Sequence, residues 1–146
     1  MAEQTEEPHV VVHGDAKSFA QEIDIGSHHI TADEPVSFGG ADTGSSPYDL
    51  ILAALGACTS MTIGLYARKR GWPLEKITVS LHHAKIHAKD CDDCETKEGR
   101  VDRIWVDIHL DGALSDEQRA KLMEIAGKCP VHQTLTSEIN VKERAV

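Results

Sequence analysis

The four cysteines of this chain occupy three different surroundings, and each surrounding implies a different chemistry. Cys129 immediately precedes Pro130, at the start of a predicted helix, where free backbone N–H groups and the helix dipole lower a thiol's pKa. His132, one turn further on, can add charge or a hydrogen bond. A thiol placed in this way suits redox or nucleophilic work, although a cysteine that only turns the backbone fits the same position. Cys58 lies within an apolar run, with Ala54, Leu55, Met61, Thr62 and Leu65 at same-face helical spacing. It reads either as a small core hydrophobe or as a functional thiol.

Cys91 and Cys94 form a C-x-x-C pair, with His87 four residues before the first of them and His83 on the same strand face. Asp90, Asp92, Asp93 and Glu95 surround these sulfurs with negative charge, which opposes thiolate formation and makes them poor nucleophiles. A divalent cation reverses that bias, so Cys91, Cys94, His87 and His83 form a candidate zinc set of the Cys2His2 kind. A labile disulfide and a plain solvated hairpin tip are the other readings of the segment. The remaining histidines carry little information: His28-His29 and His82-His83 alternate across strands, so each pair puts one ring on each face. The chain has no glycine-rich phosphate loop, no G-x-S-x-G elbow and no H-E-x-x-H, which leaves nucleotide, serine-hydrolase and zincin chemistry without support.

Several elements must position these residues. Short strand-like runs cover His9 to Val36, separated by His13-Gly14-Asp15 and by Gly26, in the manner of an antiparallel meander. A loop rich in glycine and serine follows over Gly39 to Ser46. Ser46-Pro47-Tyr48-Asp49 then combines a capping hydroxyl, a proline at the first helical position and a carboxylate three residues after the cap. Arg68-Lys69-Arg70, Gly71 and Pro73 supply the matching stop. The helix between these signals is apolar on every side from Leu50 to Cys58, which predicts that protein surrounds it and that a partner subunit covers part of it. Residues 76–88 and 101–110 read as a hairpin with an acidic connector from Lys89 to Arg100. A capping signature at Ser115 to Gln118 opens a helix over Asp116 to Lys128, Cys129-Pro130 starts a short third helix, and Glu138 to Glu143 is expected as a last strand. The order predicts an α+β domain over residues 9–146, preceded by a flexible acidic leader over residues 1–8.

The chain's 146 residues suffice for one core without staples. With 24 acidic against 15 basic side chains and a net charge of −9, binding to nucleic acid or to an anionic membrane surface is disfavoured. Four cysteines are too few for a disulfide scaffold and the first eight residues do not resemble a signal peptide, so a cytoplasmic protein is expected. The apolar stretch Leu50 to Leu65, interrupted by Thr59, Ser60 and Thr62, is expected to fall short of a membrane span.

The run from Gly44 to Cys58, followed about 70 residues later by Cys129-Pro130-Val131-His132, resembles the OsmC/Ohr family of osmotically inducible and organic hydroperoxide resistance proteins. The resemblance implies an intertwined homodimer with antiparallel sheets around long central helices. It also implies thiol-dependent reduction of a small organic hydroperoxide, with Cys58 as the attacking thiol, Cys129 as the resolving thiol and an external dithiol as reductant. No cofactor is required by that chemistry, and zinc at the Cys91/Cys94 segment would be additional to it. The sequence departs from the family pattern at two points. No arginine precedes Arg68, and Tyr48 stands where the family places a glutamate, with Asp49 adjacent and Lys17 the nearest N-terminal cation. These departures keep open a second function, an OsmC-like dimer that binds a small apolar ligand or a metal with little peroxide turnover.

Overall fold

The computed structural model describes residues 7–146. Of the expected leader, residues 1–6 lie outside the described residues, while Glu7 and Pro8 are exposed and without regular structure. The chain forms two compact units, one ending at Ile51 and the other running from Leu52 to Val146.

In the first unit, β1 (Val10–Gly14), β2 (Gln21–Ile25) and β3 (His28–Ala32) form the antiparallel meander that the turn residues predict, with Val12 opposite Ile23 and Ile23 opposite Ile30. Gly26 takes a left-handed φ of 57° in the β2–β3 turn, a conformation in which a Cβ would be strained. The loop after β3 is organised by Asp33, a buried carboxylate. It accepts hydrogen bonds from the backbone N–H groups of Glu34 at 2.7 Å, Ala41 at 3.2 Å and Thr43 at 3.1 Å, and from the Thr43 hydroxyl at 2.7 Å. These donors, the Thr43 hydroxyl foremost, hold its pKa below the ordinary carboxylate value.

Helix α1 (Pro47–Arg70) begins and ends where its capping signals place it. Ser46 Oγ accepts the Asp49 N–H at 3.2 Å. At the other end Gly71 (φ 66°) and Trp72 return N–H bonds to Arg68 and Ala67, which is the Schellman pattern. Burial within one chain is partial, and the cover expected from a partner subunit lies outside it. Within this single chain protein covers only the stripe Leu55, Gly56, Thr59, Ile63 and Ala67, while Ile51, Met61 and Leu65 stay exposed. One hairpin and one short helix cannot wrap a helix of 24 residues on all sides. Over its whole length from Pro47 to Arg70 the helix is long and apolar enough by composition to cross a membrane, a test that a core helix also passes.

The second unit packs α1 from Leu52 onward against a long antiparallel hairpin, β4 (Leu74–His87) and β5 (Arg100–Gly112), and against α2 (Asp116–Ala126). Ile77, Val79 and Leu81 lie opposite Leu110, Ile108 and Val106. Leu81 packs so close to α1 that a Cβ on Gly56 would stand 2.6 Å from its Cδ1, so a larger residue there would make the Leu81 side chain shift. The core joins Ile63 and Ala67 of α1 to Leu110, Leu122 and Ala126. α2 carries the predicted capping box, with Ser115 Oγ accepting the Gln118 N–H and Gln118 Oε1 accepting the Ser115 N–H. It stops at Ala126, two residues before the expected end. α3 (Pro130–Leu135) follows. The strand expected over Glu138 to Glu143 is absent, and these residues are exposed and irregular. A strand needs a hydrogen-bonding neighbour, and none of the described residues pairs with this segment.

Candidate active site

Two elements of the second unit, α1 and the start of α3, bring together a pair of thiols separated by 71 positions in sequence. Cys129 is fully buried and caps α3, its Sγ accepting the backbone N–H of His132 at 3.3 Å. From α1, Thr59 places its hydroxyl 3.9 Å from the same sulfur while donating to the Leu55 carbonyl at 2.8 Å. The neighbouring Cys58 thiol acts on Cys129 in the same direction, lowering its pKa. Burial pushes the Cys129 pKa up, yet these donors and the Val131 N–H outweigh it and leave the thiol below its ordinary value. Cys58, by contrast, is only partly buried. It lies beside the covered stripe of α1, and of the residues spaced with it on that face Met61 and Leu65 are exposed.

The arrangement therefore pairs an accessible thiol with an enclosed sulfur prone to carry negative charge. Such a pair can be oxidised through the outer sulfur and closed into a disulfide by the inner one. Sequence reasoning treated Thr59 only as an interruption of an apolar run. A hydroxyl adjacent to a cysteine in an otherwise apolar helix was the signal that it has a polar partner inside the fold. A groove of about 280 Å³ runs along α1 further toward its C-terminus, lined by Ser60, Gly64, Arg68, Trp72 and Glu75 among others, and neither thiol lines it.

The four residues of the candidate zinc set are not assembled. Cys91 and Cys94 are joined as a disulfide at the tip of the β4–β5 hairpin, where the 3-10 turn Ala88–Asp90 is closed by Ala88 N–H donating to the Gly99 carbonyl at 2.8 Å. His83 instead bonds Asp102 at 2.9 Å through Nε2, because the strand register sets Asp102 beside Lys85, opposite which it pairs. His87 is exposed and does not belong to the group of donors that converges at the tip. That group consists of Cys91, Cys94 and Asp93, and the carboxylate was absent from the expected set.

The family model described as OsmC-like protein matches residues 39–144, nearly three-quarters of the chain. The chain belongs to the OsmC-like family. Both thiol positions and the hairpin tip fall within the matched region. No curated protein matches the sequence. Among solved structures the chain is similar to an OsmC-like protein from Mycoplasma pneumoniae, with 19% identity, a TM-score of 0.68 and coverage of 90% of this chain and 88% of that one. An organic hydroperoxide resistance protein OsmC from Legionella pneumophila gives 19% identity, a TM-score of 0.64 and coverage of 91% of each chain. The organic hydroperoxide resistance protein OhrB of Bacillus subtilis gives 18% identity, a TM-score of 0.61 and coverage of 91% and 93%. At these identities the likeness is one of fold. These likenesses cover about nine-tenths of the chain, more than the residues the family model matches.

Proposed function

We propose that this OsmC-like protein reduces organic hydroperoxides with its own thiols, as part of a response to peroxide stress. The observation that carries the reading is the buried Cys129 sulfur, which takes hydrogen-bond donors from His132 and from Thr59, the residue next to Cys58 on α1. Two structural neighbours named for organic hydroperoxide resistance support the substrate class. In this reading Cys58 attacks the peroxide oxygen, the O–O bond breaks, an alcohol leaves with a proton, and Cys58 becomes a sulfenic acid. The Cys129 thiolate then attacks the Cys58 sulfur. Hydroxide leaves as water after protonation, and the resulting disulfide is returned to two thiols by an external dithiol. No further cofactor takes part, and the cytoplasm, where such reductants are kept, is the compartment we assign to it.

The working unit in this proposal is a homodimer. Ile51, Met61 and Leu65 on one apolar helix are exposed in the single chain, and a second copy covering them would bury more than ~2,000 Å² in total, as obligate interfaces do. The test is stopped-flow consumption of an organic hydroperoxide in the presence of excess dithiol, with turnover expected from wild type and lost in Cys58→Ser. A second reading, binding of a small apolar ligand or a metal without turnover, is favoured by Tyr48 at the glutamate position and by the absence of arginine before Arg68. It predicts no consumption above the dithiol background.

A further inference from the structure

We propose that the tip of the β4–β5 hairpin is a redox-gated site for a soft divalent cation of the zinc type, built by Cys91, Cys94 and Asp93. In this proposal the disulfide is the cation-free state of the same loop.

The geometry begins with backbone. The 3-10 turn before Cys91 is fixed at both ends, Ala88 N–H bonding the Gly99 carbonyl and Cys91 N–H bonding the Ala88 carbonyl at 3.1 Å. Cys91 is thereby buried at the tip of an otherwise exposed connector. The Cα atoms of Cys91 and Cys94 are 5.5 Å apart, and the two sulfurs and an Asp93 carboxylate oxygen all lie within 4.8 Å of one another. The Asp93 oxygen stands 3.3 Å from Cys91 Sγ. A disulfide sulfur has no proton to donate, so this carboxylate rests against a sulfur that offers it no hydrogen bond. Asp93 is exposed, so this oxygen is open to solvent and free to turn onto a cation held between the two sulfurs once the pair is reduced. Lys97 donates to the Cys94 carbonyl at 2.7 Å, so the nearby ammonium is held by backbone.

Charge points the same way. Two thiolates and Asp93 together bring three negative charges into a loop that also holds Asp90, Asp92 and Glu95. A divalent cation offsets that concentration, and two sulfurs with one carboxylate form a borderline-soft donor set that suits zinc and leaves a fourth position for water.

The reaction balances in both directions. An external dithiol reduces the disulfide to two thiols and is itself oxidised to a disulfide, after which the cation binds and two protons are released. A hydroperoxide reverses this. It takes two electrons from the two thiolates and two protons from solvent, giving the disulfide, an alcohol, water and the free cation. The site is chemically separate from Cys58 and Cys129, and its function does not depend on their turnover.

The experiment is anaerobic titration of the reduced full chain with Co(II), read by thiolate-to-cobalt charge-transfer absorption and followed by displacement with Zn(II). Wild type should give one equivalent of thiolate-bound cobalt, Cys91→Ser/Cys94→Ser should give none, and Asp93→Asn should weaken binding at least tenfold. In Cys58→Ser/Cys129→Ser, where Cys91 and Cys94 are the only thiols, one equivalent of organic hydroperoxide should release the metal with re-formation of the Cys91–Cys94 bond. Absence of the band from reduced wild type overturns the proposal. So does a band of full intensity in Cys91→Ser/Cys94→Ser, which would assign the metal to Cys58 and Cys129. Unchanged affinity in Asp93→Asn overturns the assignment of the carboxylate as a ligand.

Discussion

Replacing Thr59 with valine isolates how α1 conditions the Cys129 sulfur. The substitution exchanges a hydroxyl for a methyl of similar size at a position only 3% exposed, so the side chain keeps its shape and loses its donor. The lost Oγ1–H···O=C bond to Leu55 is worth about 1 kcal/mol, and no orphan remains because that carbonyl still accepts an α-helical N–H. The effect on the thiol follows from geometry. A hydrogen bond to a charged acceptor contributes about 1.5–3 kcal/mol at full strength. At 3.9 Å, and with its proton shared with Leu55, the Thr59 hydroxyl supplies about a third of that, ~0.7 kcal/mol. Its loss should raise the Cys129 pKa and, at that energy, lower the thiolate population below the pKa by roughly threefold. Carbon NMR titration of the Cys129 Cβ, in a Cys91→Ser/Cys94→Ser background, reads the shift at one residue. Thr59→Ser, which keeps the hydroxyl, should titrate like wild type. A Cys129 titration unmoved or lowered in Thr59→Val would refute the claim that this donor stabilises the thiolate.

Other perturbations probe separate parts of the fold. Leu122→Ala, at a fully buried position of the second unit's core, should lower unfolding free energy by about 2–5 kcal/mol in urea titrations. Asp33→Asn tests the loop before α1. The depressed folded pKa of Asp33 means that its carboxylate stabilises the protein above the unfolded pKa and that this contribution is lost as pH falls through the folded value. Thermal unfolding should therefore show a gap between wild type and Asp33→Asn at neutral pH that closes in acid. Cys129→Ser, treated with one equivalent of hydroperoxide, should leave a Cys58 sulfenic acid that dimedone traps in intact-mass spectra. Light scattering at micromolar concentration should report twice the chain mass, and a monomer would contradict the dimer.

The parts of this structure that were legible in sequence are those set by local rules. Ser46, Gly71 and the Ser115–Gln118 box mark helix ends through hydrogen bonds that close within four or five residues, and each of them forms as read. The meander likewise follows from alternation and from Gly26. Long-range pairings are another matter. Residues 138–143 have a strand's composition, but a strand exists only where an edge receives it, and composition does not name the edge. The all-apolar stretch of α1 states that cover is needed but does not name what supplies it, and within one chain only a stripe of the helix is covered. At the candidate sites the cysteines were visible as types, while their partners depended on side-chain direction. Thr59, Asp33 and Asp93 were missed because their roles lie in contacts to groups up to 70 positions away or in a loop geometry that spacing does not encode. His83 was misplaced because strand pairing sets it beside Asp102, a neighbour that periodicity on one strand cannot reveal.

Peptide mapping of the Cys91→Ser/Cys94→Ser protein after one equivalent of an organic hydroperoxide tests the central claim most directly, since only Cys58 and Cys129 then remain to be oxidised. The account predicts stoichiometric loss of both thiols and recovery of a single peptide pair joined by a Cys58–Cys129 disulfide, reversed by dithiol. Recovery of both cysteines as free thiols, with the hydroperoxide unconsumed, would contradict it.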